Sequence, residues 1–396
     1  MKNDHTMTNQ PRREWLKQNA ALGAALAGGA LPALAQAPTK TGNSASGAAP
    51  VRAWQNWAKT EQFQPKSWWV PNNEAELIQR LRAQPAEAIR CVGAGHSFTG
   101  LVPTEGSIVS LDRLSGIIHV DRQAMTVRVH AGTRIGVLAR ALHEQGLALS
   151  NQPDIDVQSL AGAMATATHG TGMTLPAIHD QVVGLRMVTM DGQVHECDHK
   201  REPELFDAAR VSLGALGIIT EFTLKVRPRF MLKRRIWLEP LDTLLARAVP
   251  KLLSTPRAMH FTESEFHVPR AVGIKCVKEV LATLERRNEV FYPIEFRYVK
   301  GDNAWLTPFA GGDYCSIACH AKQGEEYGYL TSDLGPIFRR YGGRPHWGKL
   351  HDLGRDELAA RYPRLPDFER LRQSLDPQGR LLNKHLKTLM RVSDVS

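Results

Sequence analysis

The sequence predicts an α+β fold of more than one domain, and three observations carry the prediction. A chain of 396 residues with 42% hydrophobic and 23% charged residues can bury a large core. Strand-like and helix-like runs are mixed without the regular alternation that a doubly wound parallel sheet requires. A composition shift at Arg229 to Arg235 separates a longer first part from a second mixed segment that runs to about Trp305. No internal repeat is visible.

The first elements belong to targeting. Pro11-Arg12-Arg13-Glu14-Trp15-Leu16-Lys17 precedes an uncharged run from Ala20 to Leu34, which ends in Ala35-Gln36-Ala37. That is a signal-peptide layout, and the apolar run is too short for a membrane span. Paired arginines followed by an aromatic residue, leucine and lysine resemble a twin-arginine export signal, so residues 1–37 are expected to engage the export machinery. Cleavage after Ala37 would leave a periplasmic or secreted protein. Residues 38–50 are small and polar and read as a linker.

After Trp68 to Pro71, Asn72 or Asn73 can cap a helix whose apolar positions Leu77, Ile78 and Leu81 follow helical spacing. Ala88 to Val92 reads as a strand, and Ser107 to Leu111, Ile117 to Asp121 and Thr126 to His130 follow as short strands. A helix over Thr133 to Gln145 places Ile135, Leu138 and Leu142 on one face and ends at Gly146. Gln181 to Thr189 and Gln193 to Cys197 flank Asp191-Gly192, a strong hairpin signal. Leu205 to Ser212 reads as a helix, and Ile218 to Val226 as a strand closed by Pro228.

Composition removes some function classes. The net charge is +10, but no Lys/Arg block is interleaved with aromatics, so nucleic acid is not an expected partner. Five scattered cysteines indicate no disulfide framework; Cys315 and Cys319 could pair if exposed, but buried thiols are the better reading. No metal site is expected.

Two loops carry the chemistry. Gly93-Ala94-Gly95-His96-Ser97-Phe98 follows a strand and lacks both Walker and dinucleotide-fingerprint spacing, yet its freed amides and the Ser97 hydroxyl could cradle a pyrophosphate. The loop Ser159-Leu160-Ala161-Gly162-Ala163-Met164-Ala165-Thr166-Ala167-Thr168-His169-Gly170-Thr171-Gly172 is built of small and hydroxyl-bearing residues that let a planar ligand approach the backbone. Either loop alone is more often a plain turn. Downstream, Glu295 and Arg297 alternate onto one face of a strand, and Gly342 to Lys349 contains His346-Trp347-Gly348-Lys349.

In order, Val92 to Phe98, Ala131-Gly132-Thr133, Leu147 to Asn151, Thr168 to Gly172, Leu213 to Ile219, Glu295-Phe296-Arg297 and His346 to Lys349 resemble the sugar-lactone and alditol oxidase branch of the vanillyl-alcohol-oxidase type flavoproteins. The resemblance covers about residues 51 to 396. It implies a two-subdomain, PCMH-type FAD-binding domain over 51–228 and a mixed α+β substrate domain over 229–396. The tail Leu375-Asp376-Pro377-Gln378-Gly379-Arg380 with Asn383 would return to the FAD domain.

The resemblance further implies that FAD lies on Gly93, Ala94, Gly95, His96, Ser97 and Phe98, with Ser159, Gly162, Thr168, His169, Gly170, Thr171, Ile219 and His346 also at the cofactor. His96 would bond covalently to the 8α carbon of the isoalloxazine. Glu295, Arg297 and Lys349 would face the flavin from the substrate side, with His320 lining the same pocket. The implied reaction is oxidation of a CH-OH group of an aldonolactone or related polyol. Lys349, its pKa lowered beside Arg297, would serve as a base or as a cation that stabilises the alkoxide. Oxygen, or another periplasmic acceptor, would reoxidise the flavin; Pro153 corresponds to the position that gates oxygen in relatives. The competing reading is a periplasmic sugar-binding protein without redox chemistry.

Overall fold

The structure, a computed structural model, describes residues 52–233, 240, 243, 260–288 and 294–392. The expected export signal, its expected cleavage site and the expected linker to residue 50 lie outside the described residues, as does residue 51. Pro50–Ser396 forms one compact unit, within which three sheets divide the work.

Strands β1 (Trp54–Gln55) and β2 (Gln62–Phe63) pair as a short antiparallel ribbon ahead of β3 (Trp68–Trp69). The helix Glu74–Ala83 is capped by Asn73, whose side chain accepts from the Glu76 N–H at 2.9 Å; Leu77 and Leu81 are fully buried. With β4 (Ile89–Val92) and β5 (Ser107–Ser110), β3 forms a parallel sheet in the order β3-β5-β4. Parallel strands are covered on both faces, and β5 is buried throughout. Arg90 is buried within β4 because it has a task there: its guanidinium donates to the carbonyls of Leu101, Leu213, Gly214 and Leu381 at 2.7–2.9 Å.

The second sheet is antiparallel and holds β6 (Ile117–Asp121), β7 (Thr126–His130), β9 (Val182–Val188), β10 (Val194–Asp198) and β11 (Ile218–Lys225), in the order β10-β9-β11-β7-β6; β8 (Leu147–Ala148) pairs separately with β12 (Arg227–Pro228). Alternation is plain in β7, where Val127 and Val129 are buried and Arg128 is exposed. The Asp191-Gly192 hairpin turns where expected, with Gly192 at φ +78°. The helix Ile135–Glu144 buries Leu138 and Leu142 and stops at Gly146, φ +73°.

The third sheet joins β13 (Phe261–Pro269), β14 (Glu295–Val299), β15 (Tyr314–Lys322) and β16 (Arg344–Pro345) in the antiparallel order β14-β15-β13-β16. The 18-residue helix Arg270–Arg287 packs on it through Cys276, Val277 and Val280. Strand β13, which no apolar pattern announces, is buried along its length apart from Pro269, with Thr262, Glu263, Ser264, Glu265 and His267 all inside.

The tail does return to the first sheet. Arg380 donates to the carbonyls of Glu87 and Met190, and Asn383 donates to those of Gly100 and Pro103. The five cysteines are free thiols; Cys315 and Cys319 sit four residues apart on β15, both buried and unpaired. Among the described residues, no helix is long and apolar enough to cross a membrane.

Candidate active site

The loop after β4 needs its glycines for two different reasons. Gly95 adopts φ +70°, a left-handed conformation that side chains disfavour. Gly93 needs space: a Cβ there would meet Ser159 Oγ at 2.2 Å. Ser159 caps the helix Leu160–Ala165, so the two loops read separately in the sequence pack directly against each other. The N-terminal ribbon braces the first loop from behind. The Trp57 N–H donates to the Gly95 carbonyl at 2.8 Å, Asn56 donates to the Ser97 carbonyl at 3.0 Å, and the Trp57 ring stacks on His96 with centroids 5.2 Å apart.

The distant His346 to Lys349 element is tied to the same loop. The Phe98 N–H donates to the Gly348 carbonyl at 2.7 Å, and the Thr99 hydroxyl donates to the Trp347 carbonyl at 3.1 Å. Trp347 is held in turn by its indole N–H on the Leu306 carbonyl at 2.7 Å. Motifs about 250 residues apart therefore form one wall of a cleft of about 1550 Å³, open mouth included.

Charge is concentrated on the opposite sheet. Glu295 and Arg297, two apart on β14, form an ion pair. Arg297 also donates to Glu265 at 3.4 Å, and Glu265 accepts from His169 Nε2 at 3.1 Å. The His169 Nδ1 faces the Gly170 carbonyl at 2.8 Å, so the ring is held from both sides. Lys349 pairs with Glu263 and lies 4.8 Å from the centre of the Phe98 ring.

Burial pushes the Glu265 carboxyl up, yet His169 and Arg297 outweigh it and hold the group well below the usual carboxylate range. Glu263 ends below its ordinary value in the same way, with Lys349 and then His320 overcoming burial. Burial, joined by Lys349, Arg134 and His260, pushes His96 down to about 4. His346 falls to about 3, again chiefly by burial, and its Nδ1 accepts from the Gly348 N–H at 3.0 Å.

Of the residues expected at the site, Gly93 to Phe98, Ser159, Gly162, Thr168, His169, Ile219, Glu295, Arg297, His346 and Lys349 line the cleft, and Pro153 lies on it too. Three do not. Gly170 packs instead against the Asn151–Gln152 segment, where a Cβ would meet the Gln152 carbonyl at 2.2 Å. The Thr171 hydroxyl accepts from the Tyr298 N–H at 3.2 Å, because the chain turns toward β14 after His169. His320 sits behind the wall, its Nε2 3.8 Å from Glu263 and 3.9 Å from Glu295. Lys349 is likewise paired not beside Arg297 but with Glu263, a cleft residue absent from the sequence reading, as are Glu265 and Phe261.

The cleft suits a large anionic cofactor. Arg134 Nη1 is buried without a hydrogen-bond partner and lies 3.9 Å from the position a Gly93 Cβ would take, next to the loop expected to hold a pyrophosphate. Residues 65–198 match the FAD binding domain family and residues 247–389 match the D-arabinono-1,4-lactone oxidase family. An L-gulono-1,4-lactone dehydrogenase of Mycobacterium tuberculosis is 30% identical over 85% of this chain and 99% of its own length. The chain belongs to the sugar-lactone oxidase family of FAD flavoproteins. An alditol oxidase of a Streptomyces species (29% identity, 85% and 98% coverage) and the mouse L-gulonolactone oxidase (27%, 84% and 97%) are further relatives. Cholesterol oxidase of B. sterolicum shares the fold at a TM-score of 0.72 and 14% identity, covering 85% of this chain and 96% of that one. This family member is thus an FAD-dependent oxidoreductase acting on CH-OH groups.

Proposed function

We propose that this oxidase-family chain oxidises a CH-OH group of an aldonolactone or related polyol, with FAD covalently held by His96. The observation that carries the reading is the direct hydrogen bonding of the His346 to Lys349 turn onto the Phe98–Thr99 end of the His96 loop, which places Lys349 in one cleft with Glu295 and Arg297. FAD, when bound, supplies the hydride acceptor.

The protein's own groups bind, orient and polarise. Glu295, fixed by Arg297, accepts a hydrogen bond from the reacting hydroxyl and is the first acceptor its proton meets. Arg297 and Lys349 face the oxygen that gains negative charge as the hydroxyl gives up its proton, ahead of hydride departure from the carbon. The neighbouring Phe98 and Phe261 rings narrow access of water to that end of the cleft. His96 is neutral at physiological pH and therefore able to act as a nucleophile. We take oxygen as the acceptor that closes the cycle, with Pro153 on the cleft wall supporting that choice. Residues 1–37 we assign to twin-arginine export into the periplasm, which Arg12→Lys with Arg13→Lys would block.

Anaerobic bleaching of the flavin by a panel of aldonolactones, alditols and aldoses, followed by air, tests substrate class and acceptor together. Bleaching by a lactone or polyol and recolouring in air are expected; a flavin that no member of the panel reduces refutes the reading. Lys349→Ala and Arg297→Ala should keep the flavin spectrum and lose bleaching. Acid-denatured protein should keep its flavin fluorescence in the polypeptide band, and His96→Ala should not.

A further inference from the structure

A lysine facing a reacting hydroxyl can be a base or a cation, and it cannot be both at once. The residue types in the sequence leave the two roles open; the environment of Lys349 separates them. Its backbone is stitched to β13 on both sides: the His346 N–H donates to the Glu265 carbonyl and the Leu350 N–H to the Glu263 carbonyl, each at 2.9 Å. The Glu263 side chain then closes an ion pair on Nζ. Both partners are withdrawn from water, the Glu263 side chain being 4% exposed and that of Lys349 15%.

We propose that Glu263 is the positioning residue for Lys349, holding it as an ammonium aimed into the cleft, so that Lys349 acts on the substrate as a cation and not as a base. The inference rests on the oxidation reading above.

The groups around the pair support one direction of charge. Facing Lys349 are the Glu263 carboxylate, the Phe98 ring, and the His96 and His346 imidazoles, both of which its charge helps keep neutral. Around Glu263 are Lys349, His320 on β15, and Glu265 two residues along the same face. Arg297 is already engaged by Glu265 and Glu295. An uncompensated carboxylate at 3% exposure would be costly, so the neutral amine is the disfavoured state of the pair.

The test reads the charge of Lys349 directly and then through the reaction. Holoenzyme is labelled with trace acetic anhydride across pH, and acetylation of Lys349 is quantified by mass spectrometry against a free lysine peptide. In the wild type, Lys349 should acylate at least tenfold more slowly than the peptide at pH 9, and Glu263→Gln should raise its rate about tenfold, with Glu263→Asp staying near the wild type. Wild-type reactivity equal to the peptide's overturns the proposal without any variant having to fold, as does an unchanged rate in Glu263→Gln. In flavin bleaching by substrate, Glu263→Gln should gain an alkaline limb, falling about tenfold per pH unit above its midpoint, which Lys349→Arg in the same chain removes. Faster bleaching in Glu263→Gln at neutral pH identifies a base and overturns the proposal. The labelling arm needs no substrate, so a failure of the oxidation reading shows only in the bleaching arm.

Discussion

The state of His96 makes a prediction about how the cofactor is attached. Burial, reinforced by Lys349, Arg134 and His260, pushes its imidazole down to about 4. Only the neutral ring can attack carbon. An ordinary histidine, with a pKa of about 6.5, is about 9% neutral at pH 5.5; at about 4 it is about 97% neutral. Apo-protein made under riboflavin starvation and given saturating FAD should therefore form the covalent adduct as fast at pH 5.5 as at pH 7.5, within about a factor of two. The unshifted ring predicts roughly a tenfold loss over the same range. Acid-quenched time points, read as flavin fluorescence in the polypeptide band, give the rate. Lys349→Met removes one of the cations that depress His96 and should move the acid limb of the rate upward. A tenfold slower reaction at pH 5.5 in the wild type would refute the assignment of His96 as a desolvated nucleophile, and fluorescence that never joins the band would refute the bond.

Other consequences concern stability. Burial pushes His346 to about 3 and His351 and His385 to about 4. Their folded pKa values lie below the unfolded value of about 6.5, so below that pH the unfolded chain binds more protons and stability falls as pH drops toward 4. Between pH 7.5 and 5.5 each contributes about 1.3 kcal/mol, roughly 4 kcal/mol in all, which should appear as a lower urea midpoint at pH 5.5; equal midpoints contradict the burial argument. Arg90→Met strands four carbonyls drawn from three parts of the chain and should cost roughly 3 kcal/mol or more, read by thermal melting. Glu265→Gln leaves His169 and Arg297 without their shared carboxylate, a loss of about 3–5 kcal/mol that should lower both melting temperature and retained FAD.

Much of the first two sheets is legible in the sequence because their signals are local. Asn73 marks a helix start by its capping side chain and Gly146 a helix end by its left-handed backbone, and Asp191-Gly192 specifies a hairpin within four residues. Strand β13 is illegible for the opposite reason. Phe261-Thr262-Glu263-Ser264-Glu265-Phe266 shows neither apolar alternation nor a continuous apolar run, since its polar side chains are buried by partners 86 and 96 residues distant. The available signal was its β-forming Phe, Thr and Val content closed by Pro269. The motif loop misleads in another way. Consecutive residues carried over as a block include Gly170 and Thr171, while the backbone turns away at His169 and delivers the Gly172 N–H to the Tyr298 carbonyl at 2.7 Å.

The polar strand also explains how so many cations fit around one cleft. Glu263 and Glu265 lie two apart on β13, so both project to one face, and each meets a cation supplied by a different segment: Lys349 for the first and Arg297 for the second, which also bonds His169. Glu295 completes the set on β14. Buried ion pairs are a poor source of stability, because desolvation cancels much of their attraction. In the proposed reaction their value would lie in preorganisation: charges already in place need no rearrangement as negative charge develops on a bound hydroxyl. The carboxylates of β13 would thus enter the proposed reaction through the groups they hold, Lys349 for Glu263 and Arg297 for Glu265.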